Sequence, residues 1–167
     1  WLVQNLRTTR YANGSHITLA SSGLDWISGG SVYMPGLYQN GAYCKYNNSD
    51  TYSDVYGFLY NWWAVNIDQY ILPGPLISYP PTLAPFGWRV ATDADWTALA
   101  TYYGSDGGKL KEIGTSHWIT PNTGAVNTDG FTAIPGGYRD GNGEFHNVFI
   151  DGFFDVYNYA YFHQKEE

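Results

Sequence analysis

"GWRVATDADWTALATYYG", residues 87–104, decides the fold class of this chain. Trp88–Val90 reads as a short strand running into a helix start. Thr92 followed by Asp95 has capping-box spacing, in which each side chain takes up an orphaned amide of the other's backbone. An acid in the first turn also suits the positive end of the helix dipole. Trp96, Leu99, Ala100 and Tyr103 recur at helical spacing, and Gly104 stands where a left-handed C-cap falls. The stretch predicts a helix of about three turns starting at Thr92, with Trp96 and Leu99 buried.

Working outward, "SDVYGFLYNWWAVN" (residues 53–66) gives the other helical signal. Asp54 is placed to cap, and Val55, Leu59, Trp62 and Trp63 fall near one face, although Gly57 weakens the pattern. "ILPGPLISYPPTLAP" (71–85) carries five prolines and reads as an irregular connection. Toward the N-terminus, "ANGSH" and "SGGS" read as turns and "GAYCKY" as a short strand. Downstream, "GGKLKEIG" adds one helical turn. "FTAIPGGYRD" and "EFHNVFI" then read as strands around "DGNG", a hairpin turn. Short strands, two main helices and a β-rich, mostly antiparallel C-terminal half make an α+β domain rather than a parallel βαβ protein.

The chain has 167 residues, which suits one domain. Its net charge of −7 and the absence of any Lys/Arg run argue against a nucleic-acid partner. No apolar run reaches the roughly 18 residues of a membrane span, so insertion is not expected. Charged residues are only 14% and aromatics 19%, so recognition would act by contact rather than by long-range steering. The chain opens abruptly at "WLVQNLRTTRY" and reads as a trimmed product.

Catalysis finds no support. Cys44 is the single cysteine, so neither an intrachain disulfide nor paired-thiol chemistry is available, and it reads as a small buried hydrophobe. His16, His117, His146 and His163 have no metal-motif spacing. Asp140, Asn142 and Glu144 alternate like the opening of an oxygen-ligand loop, but a hairpin turn accounts for "DGNG". No catalytic residue, metal or cofactor is expected, and no metal is needed for folding. Trp62, Trp63, Trp88 and Trp96 lie in patterned segments and read as core. Trp1, Trp26 and Trp118 lack a pattern, which suits half-buried loop residues or rings that stack on a sugar. Arg139 in "GGYRD" is expected to pair locally.

The tail "DVYNYAYFH" (155–163) separates at period two. Val156, Asn158, Ala160 and Phe162 share one side; Asp155, Tyr157, Tyr159, Tyr161 and His163 share the other. Tyrosine stripes serve binding surfaces, and they also build ordinary sheets.

"NLRTTRYANG", "GAYCKYNN", "YGFLYNWWAV", "GWRVATDADWTAL", "GGKLKE", "GFTAIPGGYRDGNGEF" and "GFF" occur in the order that resembles the Fibrobacter succinogenes major paralogous domain family. The resemblance covers most of residues 2–154. It implies a C-type-lectin-like fold, similar also to the branch containing the formylglycine-generating enzyme. It further implies a secreted or cell-surface bacterial domain of adhesin-like or fimbrial proteins. The chain departs from that pattern at Ala84, where members usually carry Cys, and at Asp155–Tyr157, where they usually carry Trp-Ser-Ser. Residues 1–167 are therefore expected to form a single lectin-like domain lacking its terminal closing strands. The expected function is non-enzymatic binding of a glycan or protein ligand. The face would consist of Tyr138, Asp140, Asn142, His146, Asp155, Tyr157, Tyr159, Tyr161 and His163. The alternative is a structural subunit that uses the same face in a homo-oligomer or surface assembly.

Overall fold

The computed structural model describes residues 4–28, 41–66 and 82–146. Glycine, serine and asparagine punctuate the first of these segments, and its elements are correspondingly short. Strand β1 is Thr18–Leu19 and helix α1 is Gly23–Ser28. Helix α1 starts with a reciprocal cap. Asp25 N donates to Ser22 Oγ at 3.1 Å, and Ser22 N donates to Asp25 Oδ2 at 3.0 Å. These bonds satisfy amides that a first turn otherwise leaves open.

Strand β2, Ala42–Cys44, is buried throughout and lies at the centre of a three-stranded sheet. It pairs in parallel with β1 (Thr18 opposite Ala42) and antiparallel with β3, Leu59–Tyr60 (Tyr43 opposite Tyr60). The helical signal at 53–66 resolves into two helices flanking β3. These are α2, Asp50–Tyr56, which starts after Ser49 with no side-chain cap bond and holds Asp54 inside it, and α3, Trp62–Val65. Gly57 makes the break. It sits at φ +75°, and a Cβ there would stand 2.7 Å from that of Asn5. A continuous helix through this point would lose the backbone turn that sends Leu59 into the sheet.

Asn61 joins three elements. Its Oδ1 accepts from Ala64 N at 3.0 Å, capping α3, and from Ala42 N at 2.9 Å. Its Nδ2 donates to Trp26 O of α1 at 3.0 Å. Around it lie two apolar clusters. One holds Tyr11, Ile17, Tyr43, Tyr60, Ala64, Val65 and Leu83; the other holds Ala20, Trp26, Ala42 and Cys44.

Helix α4, Asp93–Tyr103, matches its sequence signals closely. The Thr92–Asp95 capping box is formed, and Gly104 closes the helix in the left-handed conformation. Two of the expectations for this region are corrected. Trp88–Val90 forms no strand among the described residues, and Trp96 and Leu99 are only half-buried, leaving Tyr103 as the buried residue of the helix. Asp93, Ala94, Thr97, Ala98 and Thr101 face water, so the helix lies on the surface rather than through a core.

The tryptophan assignment reverses in part. Trp26 and Trp118 are buried at 6% and 2% exposure, whereas Trp88 is 52% exposed and Trp62 and Trp63 are half-buried. Trp26 and Trp118 each find a carbonyl for the indole N–H, Asp140 O and Ala133 O respectively, both at 2.9 Å. That satisfaction is what permits burial of so large a ring.

Beyond α4 the described chain is mostly turns, with a 3₁₀ turn at Gly107–Lys109 and an isolated parallel bridge, Lys111 with Ala133. Asn122, Gly124, Asn127, Gly130 and Thr132 all adopt positive φ, which interrupts extended backbone. Regular pairing returns at β4, Tyr138–Arg139, and β5, Phe145–His146, which form an antiparallel hairpin over the predicted "DGNG" turn. The β-rich C-terminal half is thus not found among the described residues. Among them the fold is mixed α and β, with four helices and two small sheets.

Candidate functional site

The β4–β5 hairpin has two chemically different faces because adjacent strand residues point to opposite sides. Outward, Tyr138 and His146 sit opposite each other and stack, centroids 4.9 Å apart at 15°. His146 Nε2 lies 3.0 Å from Asp140 Oδ2. The other carboxylate oxygen of Asp140 accepts from Asn142 N at 2.9 Å and Glu144 N at 2.8 Å. The amide of Glu144 above all, then the imidazole of His146, holds the Asp140 carboxyl below its ordinary range.

Inward, Arg139 is buried between the rings of Phe145 and Trp26, its guanidinium carbon 4.4 and 5.3 Å from their centroids. Its Nε donates to Gly143 O at 2.8 Å, the local contact expected of it. Its Nη1 reaches the carbonyl of Ala20 at 3.2 Å, a long-range bond the sequence did not suggest. Gly143 presses on α1: at φ +83°, its Cβ would lie 2.5 Å from Gly23 Cα. The hairpin is therefore fixed to β1 and α1 by a buried cation, an indole hydrogen bond and a glycine contact.

Next to this mount opens a cleft of about 970 Å³. That is the volume of a small-ligand site. Trp88, Trp96, Phe58 and Tyr56 line it; Tyr138 and Arg139 of β4 contribute from the hairpin. Polar groups are few. The Arg89–Asp95 pair stands on one wall, with Arg89 Nη2 donating to Asp95 Oδ1 at 2.7 Å, and Asn5 on another. Arg89, followed by the amide of Thr92, holds the Asp95 carboxyl well below its ordinary range. A mainly aromatic wall with a few fixed polar groups can hold the faces of a ring-shaped or extended ligand and orient it through its edges. Phe86, beside the cleft residues in sequence, is fully exposed.

Of the residues singled out from the sequence, Tyr138, Asp140, Asn142 and His146 are gathered on the hairpin. Asp155, Tyr157, Tyr159, Tyr161 and His163 lie outside the described residues. Two contributors were missed. Trp88 was assigned to the core, and Glu144 was set aside with the turn. Asp140, Glu144 and His146 bring ligand-type atoms within 4.8 Å of one another. Their even-numbered spacing on a hairpin was the signal that could have found them. His117 stands apart, its Nδ1 2.8 Å from Glu112 Oε2 and its ring edge-on to Tyr56. Cys44 is fully buried, and burial pushes its thiol up to about 11.

The described residues thus combine an aromatic cleft with a polar hairpin beside it on a small α and β frame. The chain belongs to the Fibrobacter succinogenes major domain family, which it matches over residues 1–167. No curated protein and no solved structure matches it.

Proposed function

We propose that this chain is a non-enzymatic, C-type-lectin-like binding domain that works at the bacterial cell surface or in the secreted space. Its ligand is a glycan or a protein surface with neutral polar character. The observation that carries this reading is the pairing of the aromatic cleft with the Tyr138–His146 stack at its edge, both reached by Tyr138. Low charge supports the same reading, since such a surface binds through ring stacking and short hydrogen bonds. Asp140 and Asn142 supply those bonds at the rim; the sequence reading adds Asp155, Tyr157, Tyr159, Tyr161 and His163 as further candidates, which lie outside the described residues.

A glycan array probed with the intact chain, beside Trp88→Ala and Tyr138→Ala, tests it. Each ring is expected to contribute about 2 kcal/mol, roughly a 30-fold loss in affinity on truncation. A wild-type chain that binds no glycan or surface protein would count against the proposal.

A second reading, a structural subunit of a surface assembly, is favoured by Phe86 at 100% exposure and Trp88 at 52%. Neighbouring apolar rings in water commonly mark a protein contact. Light scattering against concentration separates the two readings. Assembly that Phe86→Ser abolishes selects the subunit, and a stable monomer selects the ligand-binding domain.

A further inference from the structure

The outward face of the hairpin carries a donor set that ligand stacking does not require. His146 Nε2 and Asp140 Oδ2 are 3.0 Å apart, and a ligand atom of Glu144 completes a group within 4.8 Å. The 3.0 Å separation is that of a hydrogen bond, and a widening of a few tenths of an ångström takes it to the edge of a tetrahedron built on bonds of roughly 2.0–2.2 Å. Two of the three donors are already oriented. Two backbone amides hold Asp140 through its second oxygen, and stacking on Tyr138 sets the plane of the His146 ring. Such outer contacts are what fix ligands around a metal. Glu144 is exposed, so its side chain can rotate to close the remaining gap. It also brings a second carboxylate toward Asp140, a like-charge approach that a bound cation would relieve. The nearest cation in sequence, Arg139, is engaged on the opposite, buried side.

We propose that Asp140, Glu144 and His146 bind one divalent transition-metal cation of the zinc class through two carboxylates and an imidazole, leaving a further position open. The imidazole nitrogen decides the class. Calcium and magnesium prefer all-oxygen shells, whereas zinc accepts mixed nitrogen and oxygen donors in threes. The hairpin is held by Arg139 and Trp26, so its fold does not require the metal, although Asp140 and His146 are shared with the proposed ligand face.

The test is calorimetric titration of the metal-stripped full chain with zinc chloride, and separately with calcium chloride. One zinc per chain is expected, bound more tightly than calcium. Glu144→Gln, an exposed change that leaves the packing intact, is expected to weaken zinc at least about 10-fold, and His146→Ala further. His16→Ala is expected to change nothing. Absence of zinc uptake, calcium binding tighter than zinc, or zinc affinity untouched by both Glu144→Gln and His146→Ala would each overturn the assignment.

Discussion

The indole Nε1 of Trp26 donates to the carbonyl of Asp140 at 2.9 Å, joining residues 114 positions apart in the chain. Through this bond the short helix Gly23–Ser28 fixes the turn that carries Asp140 and Asn142, next to the strands that carry the Tyr138–His146 stack. The same indole lies beside the Arg139 guanidinium, which in turn reaches Ala20. The outward side chains of the hairpin therefore depend on a buried arrangement beneath them.

Trp26→Phe keeps most of the apolar contact but leaves the Asp140 carbonyl without its donor. The expected loss is about 1–2 kcal/mol, read as a lower urea midpoint at unchanged slope. Amides of residues 140–144 are expected to exchange faster with deuterium than those of Ala42–Cys44, whose strand stays paired on both sides.

Gly143→Ala is expected to cost more than about 1 kcal/mol, because φ +83° disfavours a side chain and the new Cβ would meet Gly23. Gly141→Ala, where nothing lies within 4 Å of the added carbon, is the control and should be much milder. Equal midpoints for the two variants in chemical denaturation would contradict the contact between hairpin and α1.

The acid limb of stability is expected to involve Asp95, whose carboxyl Arg89 and Thr92 hold well below its ordinary range. A depressed folded-state pKa adds stability that is complete above the unfolded value of about 3.9 and is lost as pH falls toward the folded value. Wild type should therefore lose melting temperature below about pH 4 more steeply than Asp95→Asn. Parallel curves for the two proteins would rule out this contribution. Thr92→Ala, which removes the other half of the cap, is expected to cost about 1 kcal/mol at neutral pH.

Cys44 is expected to resist thiol reagents in the native protein. Burial shifts its thiol up to about 11, which keeps it protonated at pH 8, and no atom of it reaches solvent. Labelling should follow the unfolding rate and accelerate with urea. Rapid labelling without denaturant would refute the burial of β2.

How much was legible in the sequence depended on whether the signal was local. Thr92, Asp95 and Gly104 specify both ends of their helix through bonds spanning a few residues, and the structure contains each of them. Asp140–Gly143 specifies the hairpin turn in the same way. Ser22 and Asp25 carried an equally local cap for α1 that went unread because six helical residues show too little periodicity. Burial was not local. Trp88 and Trp96 lie in the best-patterned segment yet remain partly exposed, while the unpatterned Trp26 and Trp118 are buried.

By itself the sequence determined the helix at 93–103, the strand at 42–44, the hairpin turn, the buried cysteine and the family. Each follows from bonding between near neighbours or from composition and ordered motifs. Only the tertiary structure decided which tryptophans are covered, that Arg139 spans to Ala20, and that Tyr138 serves both the cleft and the ring stack. Those outcomes depend on which distant carbonyl or ring is available to satisfy a buried donor or cation, and chain separation carries no record of that.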